Sequence, residues 1–464
     1  MSIERRASSY VNKTTAQSVW RNLARAMLTE VRPLISLAVP LVAGLTSSTM
    51  LGLTDTYFIG TLGPLPLAAA SLTTSALLIF FASLYGFLGP VGILVGQAYG
   101  GNDQQKIASV LRHGLALALG AGVLGCLLML ALLTLLPFAN QPAEVLAIVP
   151  SYWLMMALLL IPFCLTLVYK QVYDAIDRPW TGVALMLVAV IINIPLTWAL
   201  VGGQFGLPAL GLLGAGLSSL IAQCVTLLAM MLHHRYAPSM ASYRIHSAWQ
   251  RPGFVEQVRE GTPMALQYLM EGGSVTVAGV MIGWLGATAL AANQIVFSVA
   301  STLYMVPLGM SAAVSIRIAQ ATGGQAGARL RAIGYAGVAL VMVWTSVFTL
   351  VLSLGGQQIA RWFVASDGVV AIATIMFLAV GVMQICDGIQ SVTLGALRGI
   401  LDNRWPTIVS LVAYWLVALP VGYGLAFWLG VGAPGMWMGF ALGLAIAAFL
   451  LSRRFWQKSA VQQH

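Results

Sequence analysis

The stretch Pro40 to Ser71, PLVAGLTSSTMLGLTDTYFIGTLGPLPLAAAS, limits what this chain can fold into, because it is apolar enough to lie in a membrane and yet carries Asp55. A carboxylate at bilayer depth costs roughly 2.5–3.5 kcal/mol, so it is retained where it faces a polar interior and binds something. The stretch then recurs. Ile59-Gly-Thr-Leu-Gly-Pro-Leu-Pro-Leu-Ala-Ala answers Ile282-Gly-Trp-Leu-Gly-Ala-Thr-Ala-Leu-Ala-Ala without a gap, and Pro40 answers Pro263 at the same separation of 223 residues. The second copy has its own acid, Glu271. Two related halves, each opening with a proline-bearing apolar helix that holds one carboxylate, form a pattern expected of a secondary transporter.

The surrounding sequence supports helices that cross a membrane. Of 464 residues, 59% are hydrophobic and 8% charged, where a soluble chain is about a quarter charged. Apolar runs of twenty or more residues match a bilayer core of about 30 Å and lack the alternation of an outer-membrane barrel. Twelve candidate spans fall near 34–59, 68–92, 109–136, 147–169, 181–203, 210–232, 262–284, 290–316, 331–354, 369–395, 407–430 and 434–452. The net charge of +10 does not point to nucleic acid, because Lys and Arg concentrate in the tails and every second loop. Loops near 60–67, 137–146, 204–209, 285–289 and 431–433 hold none, and only Arg361 breaks the alternation. That pattern predicts an even number of spans with both termini in the cytoplasm.

The fold expected is an all-α integral membrane protein of twelve transmembrane helices in two pseudo-symmetric six-helix bundles facing a central cavity. Residues 1–33 read as a cytoplasmic tail drawn to membrane lipid, 34–232 as a first lobe, 233–261 as a cytoplasmic linker, 262–452 as a second lobe and 453–464 as a C-terminal tail. No removable signal peptide is indicated. Further echoes include Gln97-Ala-Tyr-Gly-Gly with Gln320-Ala-Thr-Gly-Gly, and Asp177 and Pro195 with Asp402 and Pro420, the last two pairs 225 apart. Six spans separate each copy from its match, so the repeat is parallel. Cys126, Cys164, Cys224 and Cys386 lie in apolar spans and read as packing residues, with no disulfide indicated.

Asp55, Glu271 and Asp387 are the acids well inside spans. At low dielectric a carboxylate is held either as the neutral acid or against a cation, and both states suit a site that takes up and releases H⁺ or Na⁺. With every Lys and Arg read as a loop or end residue, no intramembrane cation is available to pair with them. Asp174, beside Lys170 and Arg178, reads instead as a structural interfacial pair. Around Asp55 the candidate partners are Thr54, Thr56, Asn193 and Thr197, the last two sharing a helix face. In the second half, Glu271 with Gln267 one turn before it is expected to form a site with Asp387 and Gln390. Pro40, Pro195, Pro263 and Pro420 are candidate hinges, since proline frees a backbone carbonyl within a helix. Candidate substrate-cavity residues are Gln267, Tyr268, Met270, Phe297, Tyr304, Met305, Met383 and Tyr414, together with Trp415. A flexible aromatic and methionine lining suits lipophilic, often cationic compounds.

These residues resemble the MATE (multidrug and toxic compound extrusion) family, of the bacterial NorM type. The resemblance runs from about residue 33 to 455 and rests on LAVPLVAGLTSSTMLGLTDTYFIGTLG, on Asn193-Ile-Pro-Leu, on LQYLMEGG with Glu271, on VPLGMSAAVSIRIAQATG and on ICDGIQSVTLGALRGILDN with Asp387. It implies two six-helix lobes rocking between outward- and inward-open states and drug export driven by Na⁺ or H⁺, with no other cofactor. It matches Asp55 to the first-lobe acid with Asn193 near it, and Glu271 and Asp387 to paired acids where Na⁺ is the candidate metal. Thr197 and Met383 depart from the pattern, standing where NorM-type members often have Asn and some have Tyr. A bacterial inner membrane and a functional monomer are expected. The alternatives are a cation-coupled carrier of a metabolite or lipid-linked substrate, which cavity Lys and Arg would favour, a membrane enzyme, and a channel or receptor. An enzyme would need a nucleophile and base or metal ligands at depth, and no His lies deep in a span, His113 being near an end and His233, His234 and His246 in the linker. No phosphate-binding loop for ATP is present.

Overall fold

The computed structural model describes residues 3–139, 142–204, 206, 208–245 and 248–461; side chains of residues 1–22 lie outside the described set, and with them the membrane contacts expected of the N-terminal tail, as does His246 of the linker. The described residues are helical and contain no strand. In order they form α1 (Ile3–Gly60), α2 (Pro64–Leu88), α3 (Pro90–Gly100), α4 (Gln104–Leu133), α5 (Ala143–Ala175), α6 (Pro179–Gly202) and α7 (Gly211–Tyr236). The second half comprises α8 (Arg251–Gly283), α9 (Ala287–Gly323), α10 (Gly327–Phe363), α11 (Asp367–Gly399), α12 (Arg404–Leu411), α13 (Leu419–Tyr423) and α14 (Ala433–Val461). Helices α2 and α3 make one span interrupted at Gly89-Pro90, and α12 and α13 belong to one span that continues to Trp428. Among the described residues, eleven helical stretches are long and apolar enough to cross a membrane. The twelfth, α8, is diluted by Gln267, Glu271 and the Gly272-Gly273-Ser274 run, so the carboxylate that marks it also weakens its hydropathy.

Turn chemistry repeats as the sequence does. Gly63 and Gly286, 223 apart, both adopt φ of 108° and start α2 and α9 where a side chain would be strained. The non-glycine residues at positive φ form two pairs, Asn102 with Gln325 and Asp177 with Leu401. The second pair is 224 apart, so the backbone equates Asp177 with Leu401 and shifts the sequence pairing with Asp402 by one residue. Pro195 and Pro420 remain 225 apart because a π-helical stretch at Val412–Ala418 intervenes, and a π turn takes in an extra residue. The four hinge candidates lie inside helical stretches, with no break of the ribbon at any of them.

Each half has its own packed interior. In the first, Trp153 and Tyr173 are nearly inaccessible, and the Trp153 Nε1–H donates to the Met129 carbonyl at 2.7 Å. In the second, Phe377, Met376 and Met436 pack with Tyr414 and Phe440. The opening helix of each half also reaches across to the other. Leu34, Leu37 and Leu41 of α1 pack with Val314 and Ile333 of the second half, while Gln257 of α8 donates to the Val110 carbonyl at 3.0 Å. Between lipid-embedded helices such close packing, rather than water exclusion, supplies the attraction.

Hydrogen bonds between the halves gather at the end that carries the basic loops. Gln97 donates to the Gly399 carbonyl (3.3 Å), and its repeat mate Gln320 donates to the Ala175 carbonyl (3.0 Å) and to Asp177 Oδ1 (3.0 Å). Ala175 and Gly399 are themselves 224 apart, so the two contacts are related by the pseudo-twofold. Gly100 lies against the Gln320 carbonyl and Gly323 against the Gln97 carbonyl, each where a Cβ would collide. Nearby, the buried Glu30 carboxylate accepts from Arg329 (2.6 Å) and Arg317 (3.2 Å), tying α1 to the second half.

Candidate functional site

Asp55 sits near the charge-free end of α1, where its Oδ2 accepts from the Ser219 hydroxyl at 2.5 Å. Asn193 Nδ2 donates to the same hydroxyl oxygen at 3.1 Å, and Thr197 pairs with Ser218 at 2.7 Å. Asn193, Thr197 and Ser218 are inaccessible. Asp55 Oδ1 and Asn193 Oδ1 are buried acceptors with no donor among the described residues. The first-half cluster is therefore oxygen-rich and holds acceptors in excess of donors, the composition that suits a hard cation or a proton.

Two expectations change here. Thr54 and Thr56 donate to carbonyls of their own helix, at Met50 (3.0 Å) and Gly52 (2.8 Å), and do not serve Asp55. Ser218 and Ser219 of α7 take their place. They were overlooked because two serines in an apolar run carry no charge signal; the sign available was their small-residue context, GAGLSSL, which permits close helix approach.

Glu271 and Asp387 form a second cluster on α8 and α11. Asp387 is 8% exposed, and its Oδ1 is buried without a donor among the described residues. Tyr304 and Tyr414 are within electrostatic reach of both acids. Asp55 is not part of this cluster, so the acids occupy two places, one in each half. Gln390 is inaccessible with its Nε2 unpartnered.

The main departure is Arg398. Read as a loop residue, it is the penultimate residue of α11 and 8% exposed. Its guanidinium donates to Tyr268 Oη (3.1 Å) and Gln267 Oε1 (3.2 Å) and lies over the Tyr268 ring at 4.9 Å. Gln267 is thus engaged by Arg398 rather than by an acid. Lys170 is likewise inside α5, closed onto Asp174 at 2.5 Å, as the pairing read from the sequence expects. The hydropathy of α11 masked Arg398, since the apolar run SVTLGAL precedes it directly.

The proposed cavity residues separate. Tyr268 stands at the seam, edge-on to Tyr85 of the first half at 5.8 Å. Met270 and Met305 are half-buried, and the Met270 carbonyl accepts from Trp415 Nε1 at 3.0 Å. The Trp415 ring approaches Gly273, where a Cβ would stand 3.3 Å from it. Met383 and Tyr414 are buried in the second-half core. Phe297 is the exception: it lines a small cavity with Asn293, Trp437 and Phe440, a separate place from the acids.

Comparison with known proteins agrees with the architecture. The MatE family model matches residues 40–199 and 263–424, one segment in each half. The chain is 31% identical over 439 residues to the probable multidrug resistance protein NorM of Synechococcus sp., covering 93% of this chain and 95% of that protein. It is 33% identical over 448 residues to the protein of the same name in Pseudomonas aeruginosa, covering 93% and 90%. Among solved structures, it superposes on an outward-facing multidrug resistance MATE family transporter with TM-score 0.85 at 16% identity (94% and 97% covered). A eukaryotic MATE transporter gives TM-score 0.83 at 23% identity (94% and 98% covered).

Proposed function

The chain belongs to the MATE family of multidrug efflux transporters, and from that premise we propose that it exports lipophilic, often cationic compounds in exchange for Na⁺ or H⁺ by alternating access. The observation that carries this reading is that both acid clusters hold buried acceptor oxygens without donors among the described residues: Asp55 Oδ1, Asn193 Oδ1 and Asp387 Oδ1. A buried anionic oxygen left without a donor is costly, so each acid is a place where a proton or small cation binds favourably. The basic loops mark the cytoplasmic side of a bacterial inner membrane. The hydrogen bonds between the halves at that side support reading this arrangement as closed toward the cytoplasm.

The mechanism follows from charge. A cation entering from outside neutralises Asp55 or the Glu271–Asp387 cluster, and the site then loses its attraction for a cationic drug. Drug and ion occupy the protein in turn, and each changes the relative stability of the two arrangements of the halves. Aromatic side chains near Glu271, those of Tyr304 and Trp415, supply adaptable apolar contact. The prolines of α1, α6 and α8 are proposed to bend as the halves rock, and a monomer contains everything required.

Proteoliposomes loaded with a fluorescent lipophilic cation test the reading. Export driven by an inward Na⁺ or H⁺ gradient is expected in the wild type and is lost in Asp55→Asn, Glu271→Gln and Asp387→Asn. Export indifferent to both gradients and to all three substitutions overturns it. Arg398 favours a second reading, a cation-coupled carrier of a metabolite or lipid-linked substrate with an anionic group; inhibition of export by anionic lipophiles but not by cationic ones would select it.

A further inference from the structure

We propose that Arg398 is an internal counter-cation for Glu271, held one helical turn away and able to compete with the coupling ion for that carboxylate. The inference rests on the reading of Glu271 as a cation site. Arg398 is buried, yet the ion pairs of the described residues do not include it. Its hydrogen bonds go to neutral oxygens, Tyr268 Oη and Gln267 Oε1, and its Nε is buried without a partner. A guanidinium so placed has given up water without gaining an anion, an arrangement that is costly unless an anion lies within reach. The acid within electrostatic reach is Glu271.

Geometry makes the exchange short. Gln267 and Glu271 are i and i+4 on α8, so they share a face with side chains about 5–6 Å apart. A change of rotamer moves the fork from Gln267 to Glu271 without moving a helix. The repeat supplies a contrast. Position 398 corresponds to Asp174 at the spacing of 224 that also relates Ala175 to Gly399. In the first half that position is an acid already closed on Lys170 at 2.5 Å. In the second half the charge is reversed and left open.

Consequences follow for ion binding. With an ion at Glu271, Arg398 is repelled toward the neutral acceptors Tyr268 and Gln267. When the ion leaves, the bare carboxylate draws Arg398 in and is never left unpaired. Arg398 therefore weakens ion binding and makes release possible; it is a positioning residue that sets affinity.

The test measures cation binding to purified protein in detergent through intrinsic tryptophan fluorescence, with Na⁺ and pH titrated separately. Arg398→Gln is expected to lower the half-saturating cation concentration about tenfold or more, the scale of a screened interaction between charges one turn apart, and to slow export. Arg398→Lys restores most of the wild-type affinity. Tyr268→Phe keeps the ring but removes an acceptor that holds Arg398 back, so it shifts half-saturation the other way, to higher concentration. A merely structural role predicts loss of binding in both variants rather than opposite shifts. Should Arg398→Gln fail to fold, the Tyr268→Phe shift and its disappearance in Glu271→Gln carry the test. Unchanged half-saturation in Arg398→Gln or Tyr268→Phe, with wild-type binding still abolished by Glu271→Gln, overturns the proposal alone. Wild-type binding that survives Glu271→Gln overturns the site reading beneath it.

Discussion

Replacing Gly100 or Gly323 by alanine tests whether the seam between the halves is held by backbone contact. A Cβ at Gly100 would stand 2.7 Å from the Gln320 carbonyl carbon and 2.9 Å from its Cα; a Cβ at Gly323 would stand 2.6 and 2.9 Å from the same atoms of Gln97. Backbone cannot rotate out of the way as a side chain can, so α3 and α9 must part. Overpacking of this kind costs roughly 1–3 kcal/mol. Parting also strains the Gln97 and Gln320 hydrogen bonds, each worth about 1 kcal/mol net. Either substitution should therefore shift the balance between closed and open arrangements of the basic-loop end by about 5–150-fold. Helix propensity acts in the opposite sense, since alanine is favoured over glycine within a helix by about 1 kcal/mol. Spin labels on exposed Gln105→Cys and Arg453→Cys, in a background lacking the native cysteines, read the separation of the halves. Gly120→Ala is the control, because nothing lies within 4 Å of a Cβ there. A longer distance or a second population is expected for Gly100→Ala and Gly323→Ala. Distributions that match the wild type and Gly120→Ala would refute the reasoning.

Two further outcomes follow from the same contacts. Glu30→Gln leaves Arg317 and Arg329 without their shared carboxylate; because Arg329 is 53% exposed, the loss is nearer about 1–2 kcal/mol than the roughly 3–5 kcal/mol of a fully buried pair. It should appear as a lower melting temperature in detergent and a more open basic-loop end by the same labels, and an unchanged melting curve would argue against the tie. Ser219→Ala removes the donor at 2.5 Å from Asp55; hydrogen bonds to charged groups are worth about 1.5–3 kcal/mol, so the ion dependence of export should shift by roughly tenfold or more, with melting affected less than in Glu30→Gln.

Much of this was legible in the residues. The recurrence at 223 separates the halves, and the turn residues Gly63 and Gly286 repeat it in backbone angles. Glu271 and Asp387 are readable as candidates because carboxylates in apolar runs stand out. Neutral hydrogen-bonding groups do not: Ser218 and Ser219 were hidden in a small-residue run, and Thr54 and Thr56, adjacent in sequence, face their own helix. A charge at a helix end was equally ambiguous. Arg398 reads as a loop cation until α11 is seen to carry it into contact with α8. The shift from 225 to 224 at Asp177 was also beyond pattern matching, since an extra residue absorbed by a π turn leaves the hydrophobic period almost unchanged.

The fold is close to symmetric and the charge within it is not, and that difference bears on the two ion sites proposed above. At the first-half site, Asp55 accepts from the Ser219 hydroxyl, with the Asn193 amide on the same hydroxyl. The ion pairs of the described residues do not include Asp55. At the second-half site, the position equivalent to Asp174 holds Arg398, whose charge is not cancelled by an acid in an ion pair. Two carboxylates within one cluster, Glu271 and Asp387, would bind a cation far more tightly than one. An opposing guanidinium offsets that excess. On this argument Arg398 brings the doubly acidic site into a range where ion and drug can displace each other, and the singly acidic Asp55 site needs no such counterweight.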